Sequence, residues 1–268
     1  MIRSAITLAL TGLMAGPALA QDAFDMPVTA ELLPGWIRQD GTRMAAVQLD
    51  LDPGWKTYWR APGDAGIPPS FDWSRSRNLQ SVAISWPRPI VFEENGMRSI
   101  GYADSLTIPV ALTPEAAGEP LRVRLTMDIG ICADICIPHR LEFDELVDGQ
   151  DTRPTPAIAA ALAQGPYSAQ EAGVRSAKCT VEPTADGLRI EARISMPHAG
   201  GTEVVVIEPG LADVWVSEAD TRRSGGEVIA VSEMIHTTGG PLALDRSQIR
   251  MTVLGSNHAV DVRGCTPG

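Results

Sequence analysis

Apolar and polar residues alternate with a period of two in several separate stretches of the chain, and this pattern constrains the fold most. The clearest stretch runs from Leu121 to Ile131, and shorter ones span residues 47–52 and 188–195. Such alternation is typical of β-strands with one face on a core and the other in water. The 21 prolines and 25 glycines are spread along the chain, which favours short strands joined by turns over long helices. We therefore predict an all-β protein built from β-sandwiches of the immunoglobulin-like type.

A polar, proline-containing stretch at residues 148–156 divides the chain. It is followed by one helical segment, Ala157 to Gln164, which Gly165-Pro166 ends. We predict a first domain of residues 21–150, a linker of residues 151–166 with this short helix, and a second, smaller β-rich domain of residues 167–268.

The N-terminus has the features of a cleavable secretory signal. Arg3 supplies a positive charge, residues 5–15 are mostly apolar, and Ala18-Leu19-Ala20 has the small residues that signal peptidase prefers. Residues 1–20 are predicted to be removed, so that the mature chain begins near Gln21. No later apolar run reaches the length of about 20 residues that a membrane span needs.

Charge and motif content exclude several classes of function. The formal net charge of −11 argues against binding to nucleic acid or to anionic lipid. The sequence has no nucleophile elbow, phosphate-binding loop or HExxH metal motif, so hydrolase and nucleotide-binding functions have no support.

The four cysteines permit three complete pairings in an exported chain. Their separation favours Cys132–Cys136 and Cys179–Cys265. The second bridge brackets most of the second domain, which indicates a structural role.

The Cys132–Cys136 pair has three possible roles. Continued alternation places Cys132 on the polar face of its strand, from which the chain turns so that Cys136 returns beside it. An exposed bridge at such a hairpin is of the easily reduced kind, which favours thiol–disulfide exchange over a structural clip. A metal pair ranks third, because His139 is the one histidine at ligand spacing. Asp134 between the cysteines is expected to disfavour the thiolate.

Three stretches of the first domain carry a family resemblance. Residues 30–150 resemble the N-terminal domain of the periplasmic protein-disulfide reductase DsbD, and more closely that of the related suppressor-of-copper-sensitivity proteins. The stretches that carry it are Cys132-Ala133-Asp134-Ile135-Cys136-Ile137-Pro138, Gly54-Trp55-Lys56-Thr57-Tyr58-Trp59-Arg60, and Glu93-Glu94 followed by residues 101–110.

The resemblance implies an immunoglobulin-like redox domain with Cys132 and Cys136 as the exchanging pair. It further implies that aromatic residues flank the site and that an acidic pair belongs to a cap loop; the expected flanking and cap residues are Tyr58, Trp59, Glu93, Glu94, Met97 and Asp134. The chain departs from the DsbD pattern in having three residues between the cysteines in place of five, and Asn95-Gly96-Met97 where DsbD has an aromatic shield. We expect Met97 or Phe92 to cover the sulfurs in place of that shield.

The sequence supports two candidate functions. The first is a periplasmic thiol:disulfide interchange component, of protein-disulfide reductase type, that uses no cofactor. It would shuttle electrons between a separate membrane-embedded thiol reductase and oxidised periplasmic thiol–disulfide proteins. The alternative is a non-catalytic, copper-related β-sandwich binding module with two structural disulfides. Its support is weak, because the four histidines are scattered and form no cluster.

Overall fold

The computed structural model describes residues 25–94 and 96–268, whose regular secondary structure consists of β-strands and one short α-helix. The all-β class predicted from the alternating pattern is confirmed. The predicted signal peptide, residues 1–20, lies outside the described residues. Within the described residues, no helix has both the length and the apolar character needed to cross a membrane.

The first domain is a sandwich of two sheets that share one hydrophobic core. Its strands are β1 (Val28–Ile37), β2 (Arg43–Leu51), β3 (Lys56–Tyr58), β4 (Ser70–Asp72), β5 (Ser81–Ile84), β6 (Ile90–Glu94), β7 (Met97–Ala103), β8 (Ser105–Thr113), β9 (Leu121–Cys132) and β10 (Cys136–Val147). One sheet has the strand order β1-β2-β8-β5, and the other has the order β10-β9-β3-β7-β6, with β4 paired to β9.

Strand β9 shows why the alternation predicted the fold. Its apolar residues from Leu121 to Ile131 are buried between the two sheets, and Arg122 and Arg124 lie on the other face. These two arginines pair with Asp144 on the neighbouring strand β10. The alternation therefore correctly predicted which side chains of β9 face the core and which face outward.

The segment predicted as a linker is folded against the first domain. Its helix, α1 (Pro156–Ala163), buries Ile158 completely and lies beside the outward-facing Ser105 and Thr107 of β8. The backbone N–H of Arg88 donates a hydrogen bond of 2.9 Å to the carbonyl of Gln164. This segment thus covers the outer face of one sheet of the first domain.

The second domain is a smaller pair of sheets around its own core. Its strands are β11 (Tyr167–Ser168), β12 (Ser176–Pro183), β13 (Leu188–Ser195), β14 (Val204–Glu208), β15 (Val214–Val216), β16 (Asp220–Ser224), β17 (Glu227–His236), β18 (Arg250–Leu254), β19 (Ala259–Arg263) and β20 (Thr266–Pro267). The strand orders are β11-β19-β18-β14 and β15-β17-β13-β12-β20, with β16 paired to β17.

The two domains contact each other through apolar and charged groups. Val204, Leu254 and Ala259 of the second domain belong to the hydrophobic cluster of the first. Arg60 donates two hydrogen bonds to the Glu208 carboxylate, at 3.0 and 2.9 Å. A bidentate pair of this kind fixes geometry as well as charge.

A buried ion pair in the second domain gives a pH-dependent stability. Glu203 accepts hydrogen bonds from Arg223, at 2.6 and 2.8 Å, and from the N–H of Ala199 at 2.7 Å. Burial acts to raise the pKa of Glu203, but these hydrogen bonds and the charge of Arg223 outweigh it, so the pKa lies below its ordinary value of 4.5. Because the folded pKa is depressed, the carboxylate stabilises the fold above pH 4.5 and loses this effect as the pH falls through the folded pKa.

We expect Glu203→Gln to lower the free energy of unfolding at pH 7 by about 3 kcal/mol, because it leaves Arg223 without its charge partner. Urea unfolding of both proteins between pH 7 and pH 3 measures this, and the difference should shrink at the acid end. Glu182→Gln, at an exposed carboxylate, is the matched control and should change little. A difference that does not vary with pH would contradict the assignment.

Candidate active site

The disulfide Cys132–Cys136 closes the mouth of the β9–β10 hairpin. The two residues face each other in the strand register, with Cα atoms 4.1 Å apart. Ala133, Asp134 and Ile135 make the turn, in which the N–H of Ala133 donates to the carbonyl of Ile135 at 3.0 Å. The exposed pair Arg140–Asp128 then joins the two strands below the turn, with hydrogen bonds of 2.7 and 2.9 Å.

The two sulfur-bearing residues differ in exposure. Cys136 is exposed, whereas Cys132 is 1% exposed. Cys132 lies on the face opposite the apolar residues of β9, as the alternation predicted, but that face is covered at this end of the strand. Strand β3 pairs with the end of β9, so that Lys56 lies opposite Cys132. The bridge therefore joins an exposed residue, Cys136, to a buried one, Cys132.

Strand β3 forms the base of the pocket and pairs closely with β7 on one side and β9 on the other. The hydroxyl of Thr57 donates a hydrogen bond of 2.9 Å to the carbonyl of Gly130 on β9. On the other side, a Cβ at Gly101 of β7 would lie 2.0 Å from the carbonyl oxygen of Thr57, so this position requires glycine. The close fit fixes Lys56 and Tyr58 relative to the bridge.

An open pocket of about 730 Å³ surrounds the bridge. The hydroxyl of Tyr58 lies 3.6 Å from Sγ of Cys136. Burial, together with the negative charge of Glu94, raises the pKa of the Tyr58 phenol, so that it stays neutral at pH 7. A neutral phenol in this position is a hydrogen-bond donor for a sulfur that becomes anionic.

The β6–β7 hairpin brings its acidic and apolar residues to the same pocket. Glu94 forms an ion pair with Lys56, and Met97 lines the pocket while remaining 59% exposed. Lys56 also lies 5.1 Å from the centre of the Phe92 ring. Phe92 thus contacts the lysine and does not line the pocket around the bridge.

The residues expected at the site separate into two groups. Tyr58, Glu94, Met97 and Asp134 line the pocket with the two cysteines. Trp59 is completely buried in the core of the sandwich, because successive residues of a strand face opposite sides, and its assignment as a flanking residue is not supported by this position. Glu93 turns away from the pocket and pairs with Arg98 at 2.7 Å.

Two residues near the bridge, Lys56 in the pocket and Ile135 in the turn, were not predicted as site residues. Lys56 was part of a matching stretch, but its position opposite Cys132 depends on the pairing of β3 with β9, which no local pattern encodes. Ile135 is 63% exposed at the tip of the turn. An apolar residue in a hairpin turn was the available signal for it.

The second disulfide, Cys179–Cys265, has a different setting. Cys179 is completely buried in the core of the second domain, and Cys265 is partly buried. The bridge ties β12 to the segment before β20, and these strands also pair with each other. The described residues contain no group of three or more His, Cys, Asp or Glu side chains placed to hold a metal ion.

Fold and site together define a class of protein: an immunoglobulin-like β-sandwich domain that carries a solvent-accessible disulfide at a hairpin mouth. Residues 27–148 match the family model described as "Thiol:disulfide interchange protein DsbD, N-terminal". The first domain is thus similar over nearly its whole length to the N-terminal domain of a thiol:disulfide interchange family.

Solved structures extend the likeness to the second domain. The N-terminal periplasmic domain of ScsB from Proteus mirabilis is 17% identical, with a TM-score of 0.68 over 93% of this chain and 97% of that one. At this identity the likeness establishes the shared fold of both domains. The reduced DsbD N-terminal domain of Neisseria meningitidis is 21% identical over 46% of this chain and 90% of its own, with a TM-score of 0.27. No curated protein sequence compared with the chain matches it.

Proposed function

We propose that the chain is a periplasmic thiol:disulfide interchange component. It passes electrons through Cys132 and Cys136 between a membrane-embedded thiol reductase and oxidised periplasmic proteins, in the manner of a protein-disulfide reductase. The observation that carries this proposal is the contrast between the two bridges. Cys136 is exposed in an open pocket, whereas Cys179 is completely buried.

The surface around Cys136 favours a protein as the reaction partner. Ile135 and Met97 are more than half exposed and lie on two different hairpins beside the bridge. Exposed apolar side chains around a reactive group are typical of a docking surface. A partner that covers them brings its own thiolate to Cys136 and excludes water from the exchanging sulfurs.

The difference in exposure between Cys132 and Cys136 also determines which sulfur a partner thiolate attacks first. A partner thiolate attacks Sγ of the exposed residue Cys136 and forms a mixed disulfide there, while Cys132 leaves as the thiolate. The buried Cys132 then resolves the mixed disulfide in the reverse step. Tyr58, 3.6 Å from Sγ of Cys136, is placed to donate a hydrogen bond to that sulfur when it is reduced.

The proposal is tested by the reduction potential of the Cys132–Cys136 bridge. The oxidised protein is equilibrated in graded dithiol buffers, its free thiols are alkylated, and each bridge is followed by mass spectrometry. We expect a potential above about −250 mV for this bridge, with Cys179–Cys265 still closed under the same conditions. A value below about −300 mV marks a structural clip and favours the binding-module alternative.

A further inference from the structure

Lys56 is a buried cation beside the bridge, and the exchange steps above assign it no role. It is 8% exposed and lies directly opposite Cys132 in the pairing of β3 with β9. Residues directly opposite in an antiparallel pair have Cβ atoms about 5 Å apart on the same face of the sheet. Burying an ammonium group is unfavourable unless it is paired, and here Glu94 and the Phe92 ring hold it.

The exchange reaction creates a negative charge at this position. When a partner thiolate attacks Sγ of Cys136, a sulfur–sulfur bond forms to the partner and the Cys132–Cys136 bond breaks. The electron pair of the broken bond moves to Sγ of Cys132, which is reduced to a thiolate while the partner sulfur is oxidised. Because Cys132 is 1% exposed, water cannot solvate that thiolate, and burial disfavours it.

In the part of the chain that the structure describes, only one charged group around the pocket can offset the negative charge on the Cys132 thiolate. Among the described residues that line the pocket, the titratable side chains other than the cysteines are Lys56, Tyr58, Glu94 and Asp134. Tyr58 contacts Cys136, and both carboxylates oppose a second negative charge. Lys56 is therefore the one cation in this set, and it lies opposite Cys132, whose sulfur leaves, in the strand register.

We propose that Lys56 is the counter-cation of the Cys132 thiolate, stabilising the leaving group when the bridge opens. This inference rests on the proposed exchange function. It identifies the group that allows a buried cysteine to act as a leaving group in an otherwise acidic pocket.

The first experiment measures the pKa of the Cys132 thiol in Cys136→Ser protein, by thiolate absorbance at 240 nm. We expect Lys56→Met to raise this pKa by about 2, because an opposite charge at close range favours the ionised form by that order. Lys56→Arg keeps the charge and should restore most of the lower pKa. Glu94→Gln should lower the pKa, the opposite direction, since it removes a negative charge from the pocket.

The second experiment follows the opening of the bridge by dithiothreitol in protein that retains all four cysteines. Lys56→Met should slow opening roughly tenfold, since exchange rates change by about half a log unit for each pKa unit of a participating thiol. Lys178, the other lysine of the chain, is exposed on β12, and Lys178→Met is the matched control with an unchanged rate.

Failure of this inference is distinguishable from failure of the proposed function. An unchanged thiol pKa in Lys56→Met, or an Arg variant that behaves like the Met variant, overturns the role of Lys56 even if the bridge opens readily. A wild-type bridge that resists dithiothreitol overturns the exchange function. The thiol pKa in Cys136→Ser protein still decides the electrostatic role of Lys56 in that case.

Discussion

Replacing Cys136 with serine is expected to slow the reaction of the reduced protein with an external disulfide by at least about a hundredfold, whereas replacing Cys132 leaves a fast reaction that stops halfway. The reason is the difference in exposure between the two residues. In Cys132→Ser protein the exposed Cys136 forms a mixed disulfide, and no second thiol remains to resolve it. In Cys136→Ser protein the remaining thiol is buried beneath the pocket.

Ellman's reagent measures this outcome directly. The Cys132→Ser variant should release one equivalent of thionitrobenzoate and remain as a stable adduct at Cys136, visible by mass spectrometry. The Cys136→Ser variant should release it slowly. Equal rates for the two variants would show that accessibility does not select the attacked sulfur.

Melting curves of both serine variants serve as the control for this comparison. The turn has its own backbone hydrogen bond and the pair Asp128–Arg140 below it, so we expect the hairpin to form without the bridge. If either variant were unfolded, the bridge would be a structural clip, and the exchange function would have to be abandoned.

The alternation of apolar and polar residues was enough to predict the parts of the site that lie on the β9–β10 hairpin. The alternation in β9 fixed which residues face the core, and extending it by one residue placed Cys132 on the opposite face. The short turn then brought Cys136 beside it, as the register shows. Alternation also required Tyr58 and Trp59 to face opposite sides, but it did not say which of the two reaches the bridge.

The features that the alternation did not predict depend on contacts between segments that are distant in the sequence. Cys132 is buried because β3, more than seventy residues earlier in the chain, pairs with the end of β9 and because the β6–β7 hairpin extends over the same pocket. The position of Lys56 opposite Cys132 follows from that same pairing. The helix after the first domain was predicted, but its alanine-rich sequence gave no sign that Ile158 docks it against a sheet.

Removing the second disulfide should have the largest effect on stability. Cys179 and Cys265 are 86 residues apart, and closing a loop of that length restricts the unfolded chain by about 4–5 kcal/mol in the entropic model. For a domain of about 100 residues, a loss of this size lowers Tm by roughly 20 °C. We therefore expect a Cys179→Ala/Cys265→Ala variant to show this drop, since alanine suits the buried position of Cys179.

The matched control for that variant is Cys132→Ala/Cys136→Ala. Its loop spans a separation of four residues, for which the same model gives at most about 2 kcal/mol, so its Tm should fall much less. Differential scanning calorimetry of the two variants and the wild type measures both values. Small and similar decreases of Tm in both variants would contradict a structural role for Cys179–Cys265. A larger drop in the Cys132/Cys136 variant would reverse the two assignments, because the bridge proposed to open and close would then be the one that holds the fold together.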